Sequence, residues 1–131
     1  MKVLALDYGS ARTGVAVSDA TGTLARPLTV VERAASEAGL RKLAELVAAE
    51  DPERIVVGLP LTLRGEAGSQ AQETGRFIAA LRAAVSVPVE SFDERFTTSL
   101  AAGAPSSRAP EDARAAAHLL ESYLTWSSNR V

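Results

Sequence analysis

Residues 54–59, Arg-Ile-Val-Val-Gly-Leu, are the segment that most restricts how this chain can fold. The segment is apolar on both of its alternating faces, which is typical of a parallel strand covered by helices on either side. On each side of it, residues 36–50 and 69–84 carry apolar residues at helical spacing. A helix that joins two parallel strands makes a right-handed crossover. The sequence therefore predicts an α/β fold with helices on both faces of a sheet.

Three strands are predicted before the first helix. Residues 2–7 and 14–18 indicate a hairpin, and a turn at 19–22 leads to a third strand around 28–32. A fifth strand is predicted at 87–92. A last helix is predicted at 111–125, directly after Pro110, a residue type that suits the start of a helix. Its predicted buried stripe is Ala115, Ala116, Leu119, Leu120 and Tyr123. The order βββαβαβα is that of a mixed five-stranded sheet, and we expect one domain over residues 1–131.

Composition excludes several classes of site. The 131 residues contain no cysteine and one histidine, so thiolate zinc sites, thiol catalysis, disulfide scaffolds and multi-histidine metal sites are excluded. The longest apolar runs are far shorter than the ~20 residues that span a bilayer, and we expect a cytoplasmic protein without a membrane segment. A net charge of −2 argues against coating nucleic acid by bulk charge. It leaves a carboxylate-based metal site open, since such a site is itself negative until metal binds.

Asp7 ends the predicted first strand, which this topology places near the centre of the sheet. Val3, Ala5 and Asp7 share one face by strand alternation, so Asp7 continues a row that faces the core. An ionised group in that position needs a partner or a metal. A tight turn at Asp7-Tyr-Gly is the simpler alternative.

Two further carboxylates are predicted near the same edge of the sheet. Asp93 follows the fifth strand and shares a face with Val87, Val89 and Ser91, whereas Glu94 points the other way. Asp112 lies in the first turn of the last helix, where the helix dipole alone favours an acid. Three carboxylates can form a two-metal site that hydrolyses phosphodiesters. Oxygen ligands favour Mg²⁺ or Mn²⁺ over zinc.

Four segments together resemble the motifs of the YqgF/RuvX family, relatives of the RuvC Holliday junction resolvase with an RNase H-like fold. They are residues 7–19, which begin Asp-Tyr-Gly-Ser-Ala-Arg-Thr-Gly; 56–60, Val-Val-Gly-Leu-Pro, with Gly65; 93–98, Asp-Glu-Arg-Phe-Thr-Thr; and 112–123. The resemblance implies a Mg²⁺-dependent nuclease, either a Holliday junction resolvase or an enzyme that matures the 5′ end of pre-16S rRNA. It implies metal ligands and catalytic acids at Asp7, Asp93, Glu94 and Asp112.

Contacts to nucleic acid are expected from residues in the neighbouring loops. Arg12 and Arg95 are placed near phosphates, and Arg108 stands in for a lysine that the family often has before the final Asp. Thr98, or Thr97, caps a short predicted helix through Ala102, whose backbone amides are equally suited to phosphate. The chain departs from the family pattern at Thr62, Arg64 and Leu100, which affects substrate contacts more than the acids.

The second metal acid is left open between three residues. The strand that ends Gly58-Leu59-Pro60 supplies no carboxylate, and the fifth strand lies two strand spacings, ~10 Å, from the first. The strand alternation described above favours Asp93, followed by Glu94. Glu66, in the loop between residues 59 and 69, is the competing candidate.

Three functions compete at this level. The first is a nuclease that acts on an rRNA precursor or on branched DNA; a junction resolvase would need a two-fold dimer, whereas an RNA-trimming nuclease would not. The second is an rRNA-binding maturation factor without catalysis. The third is a nucleotide-binding protein similar to actin and the sugar kinases, which 131 residues make too short to close two domains around ATP.

Overall fold

The computed structural model describes residues 1–60, 68–93 and 110–128. These ranges contain five strands and three helices. In chain order they are β1 (Val3–Asp7), β2 (Arg12–Ser18), β3 (Ala25–Glu32), α1 (Glu37–Glu50), β4 (Arg54–Leu59), α2 (Ser69–Ala84), β5 (Val89–Asp93) and α3 (Glu111–Ser128).

The five strands form one mixed sheet in the order β3-β2-β1-β4-β5. β2 is antiparallel to β1 and β3, whereas β4 is parallel to both β1 and β5. The predicted sheet is confirmed, with β1 in its centre and β5 two strands away. The C-terminal ends of β1, β4 and β5 lie along one side of the sheet, together with the start of β2. We call this side the carboxyl edge.

The sheet separates two hydrophobic cores. The first core lies under α1 and α2, contains the fully buried Leu4 and Leu6, and extends to Phe77 and Val89. The second core lies under α3, which packs on β1, β2 and β3. It contains Val3, Ala5, Val56, Phe92, Ala116, Leu119, Leu120 and Tyr123. Alternate residues of each strand therefore enter different cores, as the pleat requires.

Residue chemistry accounts for both ends of α1. The Ser36 side chain accepts a hydrogen bond from the Gly39 N–H at 3.0 Å and caps the first turn. At the other end Asp51 adopts a left-handed conformation with φ 51°, and its N–H donates to the Val47 carbonyl. Pro52 follows, so the helix stops where the sequence predicts.

Several boundaries and one burial assignment differ from the prediction. β5 begins at Val89 instead of residue 87 because Pro88 has no N–H, and it extends to include Asp93. β3 begins at Ala25 instead of residue 28, and α3 begins at Glu111 as predicted but continues to Ser128 instead of ending at residue 125. Ala115, predicted to be buried, is half-buried. Among the helices in the described ranges, none has the length and apolar character needed to cross a bilayer.

Candidate functional site

Asp7 and Tyr8 leave the end of β1 toward opposite layers of the fold. Asp7 follows Val3 and Ala5, which belong to the second core, so its row faces α3. Tyr8 packs on the first core, where its ring stacks on Phe77 with centroids 4.4 Å apart. The Tyr8 hydroxyl donates to a Glu73 carboxylate oxygen at 2.9 Å. The tyrosine thus fixes the chain immediately after Asp7 against α2.

The Tyr8 hydroxyl remains protonated over the whole neutral range. Burial, followed by the hydrogen bond and charge of Glu73, raises the pKa of Tyr8 from 10.0 to about 12. The phenol therefore acts as a stable donor that anchors β1, since it would lose its proton only in strong alkali.

Gly14 connects Asp7 with the start of α3. It is the residue directly opposite Asp7 in the antiparallel β1–β2 ladder, so the two residues share a face. A Cβ atom at position 14 would overlap the backbone carbonyl of Asp112. The absent side chain therefore allows the first turn of α3 to rest on β2, and this contact brings Asp112 to the face that Asp7 occupies.

Asp112 is paired with a cation in this arrangement. The Arg12 Nε lies 3.3 Å from an Asp112 carboxylate oxygen, and the two side chains are 66% and 37% exposed. Ion pairs this exposed contribute little to stability, about 0–1 kcal/mol. Either group can therefore exchange its partner for a metal ion or a phosphate at small cost.

The facing that favoured Asp93 as the partner of Asp7 is wrong. In the parallel β4–β5 ladder Gly58 pairs with Phe92 and Leu59 with Asp93. Phe92 belongs to the second core with Ala5, whereas Val89 belongs to the first. Alternation places Asp93 in the Val89 row, on the side of α1 and α2. The alternation predicted within each strand is correct, but the row that contains Asp93 and the row that contains Asp7 lie on opposite faces of the sheet. As a site residue Asp93 stays a prediction.

Several predicted site residues fall outside the described residues. They are Glu66, Glu94, Arg95, Thr98 and Arg108, as are the departures at Thr62, Arg64 and Leu100. Within residues 1–60, 68–93 and 110–128 there is no group of three Asp, Glu, His or Cys side chains that could hold a metal ion. The described structure thus places two of the predicted acids, Asp7 and Asp112, on one face at the carboxyl edge.

The hairpin tip after Asp7 is held by polar contacts that the sequence did not reveal. Thr13 is completely buried, and its Oγ1 both accepts from the Gly9 N–H and donates to the Gly9 carbonyl, at 3.4 Å each. Arg33, directly after β3, donates its N–H to the carbonyl of Ala11, directly before β2, at 3.0 Å. The signal for Gly14 was present in the sequence as a glycine within a strand, which often marks a close backbone approach. The positions of Thr13 and Arg33 carried no such signal.

Other features lie away from this edge. A surface cavity of about 480 Å³ between the β2–β3 turn and the last turns of α3 is lined by Leu24, Glu121, Leu124 and Ser128, among others. It is at the end of α3 opposite to Asp112. Tyr123 and Trp126 pack with Phe92, with ring centroids 5.5 Å from it in each case, and Tyr123 is buried as predicted.

Comparison with known proteins assigns the family. The model of the RuvX family, described as Holliday junction resolvase, matches residues 1–126. A relative from Chloroflexus aggregans, named "Putative pre-16S rRNA nuclease", is 48% identical over 96 residues, which are 73% of this chain and 68% of the relative. A relative of the same name from Chloroflexus aurantiacus J-10-fl is also 48% identical over 96 residues, which are 63% of its own length. In Thermoanaerobacter pseudethanolicus such a relative is 34% identical over 99% of this chain and 100% of its own length.

Solved structures agree on the fold. RuvC from Thermus thermophilus in complex with a Holliday junction substrate superimposes with a TM-score of 0.69 at 19% identity, covering 98% of this chain and 95% of that one. RuvC has an RNase H-like fold, so the predicted architecture is confirmed. With a family model that covers nearly all of its length, this chain belongs to the RuvX family of Holliday junction resolvase-like nucleases.

Proposed function

We propose that this chain is a divalent-metal-dependent nuclease that hydrolyses phosphodiester bonds in structured nucleic acid. The observation that carries the proposal is the convergence of Asp7 and Asp112 on one face of the carboxyl edge, across Gly14. Relatives over the whole chain are named for pre-16S rRNA, so we take precursor rRNA as the first substrate to test and the four-way DNA junction as the second.

The donor set fits Mg²⁺ or Mn²⁺. Carboxylate oxygens are the ligands that these ions prefer, and Asp7 and Asp112 supply them from two different elements. A bound divalent ion would make a water molecule more acidic and stabilise charge on the phosphate oxygens. As the third acid we propose Glu94. It lies two residues after Phe92 in the sequence, and Phe92 packs in the core under α3. Asp93 and Glu66 are the alternatives.

The residues of the chain have separate tasks in this proposal. Asp7 and Asp112 hold the ions, and Tyr8 and Gly14 hold those two acids in place. Arg12 is paired with Asp112 in the structure. When metal engages the carboxylate, we expect the Arg12 guanidinium to contact a phosphate of the substrate instead, a geometry for which arginine is well suited.

An rRNA-binding factor without catalysis is the second candidate. The observation in its favour is that the sequence departs from the family pattern at Thr62, Arg64 and Leu100, where substrate contacts are expected. Both candidates bind RNA and act where ribosomes are assembled, in the cytoplasm. They differ in whether the bound strand is cut.

The deciding experiment measures cleavage of an end-labelled precursor rRNA fragment and of a labelled four-way DNA junction. The wild type is compared with Asp7→Asn in Mg²⁺, in Mn²⁺ and in EDTA. We expect metal-dependent cleavage that Asp7→Asn lowers by more than ~100-fold, beyond the usual effect of groups that only support a metal ligand. Asp51→Asn is the matched control, because it makes the same chemical change at an exposed position near the start of β4, where the left-handed backbone tolerates asparagine.

The proposal fails if Asp7→Asn cleaves as well as the wild type. Binding without cleavage by the wild type, in either metal, would support the maturation factor. Cleavage of the junction but not the RNA would favour a resolvase, for which a two-fold dimer in solution is then required.

A further inference from the structure

Arg33 holds a backbone conformation that its residue type disfavours. Its φ is +47°, in the left-handed region, and among non-glycine residues of the described ranges only Asp51 shares this sign. Asp51 has a local explanation, because it is the C-cap of α1 and aspartate enters this region more readily than most residues. Neither explanation applies to arginine at position 33, between β3 and α1.

Contacts on both sides enforce this conformation. The Arg33 N–H donates to the Ala11 carbonyl at 3.0 Å, which ties it to the hairpin tip after Asp7. The Arg33 carbonyl accepts from the Ser36 N–H at 2.9 Å and from the Ser36 hydroxyl at 2.6 Å. A Cβ atom at Gly39 would overlap that same carbonyl, so the first turn of α1 presses against it. The surroundings therefore determine the backbone at position 33, whatever side chain stands there.

The strained position brings a second arginine to the carboxyl edge. Arg12, which begins β2, pairs with Glu32 in the β2–β3 ladder, so Arg33 is one residue beyond the Arg12 level. The Arg33 side chain is exposed, and no salt bridge to it is found in residues 1–60, 68–93 and 110–128. Arg12 is paired with Asp112, whereas the Arg33 side chain is exposed and its backbone N–H contacts the same hairpin tip.

We propose that Arg33 contacts a phosphate of the nucleic-acid backbone next to the candidate site, a role that rests on the nuclease function proposed above. Glycine would fit the left-handed backbone without strain. Strain of this kind persists where the surrounding structure enforces it, and it is concentrated at functional sites. Arginine adds a permanent charge and a planar donor group that matches phosphate oxygens. Together Arg12 and Arg33 extend the phosphate-binding surface along the edge from β2 to β3.

The test separates binding from folding with Arg33→Gly. Affinity for the labelled precursor rRNA fragment and for the four-way DNA junction is measured in EDTA, over a series of KCl concentrations, beside the thermal midpoint. We expect Arg33→Gly to bind ~3- to 10-fold more weakly at low salt, and the slope of log K against log salt to fall by ~0.7 to 0.9, the value for one phosphate contact. The thermal midpoint should be unchanged or higher, because glycine removes the strain.

Two variants complete the design. Arg33→Lys keeps the charge and should restore the salt slope. Arg26→Gln is the matched control, since it removes an exposed arginine at the other end of the same strand and should change neither binding nor slope. Loss of binding to one probe only identifies whether RNA or DNA is the backbone contacted.

Three results would overturn the inference. The first is an Arg33→Gly variant that equals the wild type in affinity and slope. The second is loss of binding by Arg33→Gly only together with a lowered thermal midpoint, and the third is an Arg26→Gln variant that weakens binding as much. If the wild type cleaves its substrate under those circumstances, the nuclease proposal stands and the role of Arg33 alone is rejected. A wild type that binds neither probe rejects both.

Discussion

Gly14 lies so close to the backbone carbonyl of Asp112 that no side chain fits between them. The contact joins β2 to the first turn of α3, and Gly14 is also the cross-strand neighbour of Asp7. One small residue thus sets the separation of two acids that are more than 100 positions apart in the sequence.

Gly14→Ala should therefore disturb both stability and the candidate site. The added methyl group must displace the start of α3, and overpacking of this kind costs about 1–3 kcal/mol. Chemical denaturation measures the free energy of unfolding, and titration with Mn²⁺ measures the site. Gly75→Ala is the matched control, because a Cβ atom there meets nothing within 4 Å and alanine favours the helix by ~1 kcal/mol. Equal stability of Gly14→Ala and the wild type would contradict the close contact.

Arg12→Gln should strengthen binding of Mn²⁺ and weaken binding of nucleic acid. In the proposed site its guanidinium would compete with metal for Asp112. Loss of an exposed pair worth about 0.2–1 kcal/mol corresponds to a ~1.4- to 5-fold gain in metal affinity. Calorimetric titration with Mn²⁺ and a binding assay with the rRNA fragment measure the two effects. Weaker Mn²⁺ binding by the variant would show that Arg12 supports the metal site instead of competing with it.

Substitution of Glu94 should reduce cleavage more than substitution of Asp93. Asp93 belongs to the row of Val89, on the sheet face away from Asp112, so Asp93→Asn should lower the rate less than ~10-fold. Glu94→Gln should lower it by more than ~100-fold if this acid completes the metal site. Cleavage rates in Mg²⁺ and Mn²⁺ at saturating substrate provide the comparison. An Asp93→Asn defect as severe as that of Asp7→Asn would reverse this assignment.

Tyr8→Phe should lower stability below pH 10 and change its alkaline pH dependence. The lost hydrogen bond to Glu73 is worth about 0.5–1.5 kcal/mol. Because the pKa of Tyr8 is raised from 10.0 to about 12, its contribution is complete below pH 10 and is lost as pH rises through about 12. Denaturation at pH 8 to 12 should show the wild type and variant converging at the alkaline end; parallel curves would contradict the raised pKa.

A spectroscopic titration of the phenol groups provides an independent check of Tyr8. The wild type should show a component with a midpoint near pH 12 that Tyr8→Phe removes. Tyr123 also has a raised pKa, through burial and its hydrogen bond to Glu90, and remains in both proteins. A variant that retains the whole high-pH component would assign that signal to Tyr123.

The sequence predicted the mixed sheet because alternation and helical spacing are local patterns that the fold preserves. It predicted the family because the four motif segments can be recognised in the sequence itself. Asp7 and Asp112 reach the same face because Gly14 permits a contact between distant segments, and no local pattern encodes that distance. The facing of Asp93 was predicted wrongly since alternation within one strand does not reveal which core the strand's rows enter. That assignment depends on register across β4, where Gly58 pairs with Phe92.

The opposite orientation of Asp7 and Tyr8 makes the alignment of β1 decisive. A shift by one residue relative to β2 and β4 would exchange their layers, putting an aromatic ring beside α3 and a carboxylate among apolar side chains. Deletions within Val3–Leu6 should consequently be far more harmful than conservative replacements there, since each replacement leaves the ladder intact. The alignment of the central strand therefore decides which of these two adjacent residues lies on the sheet face covered by α3.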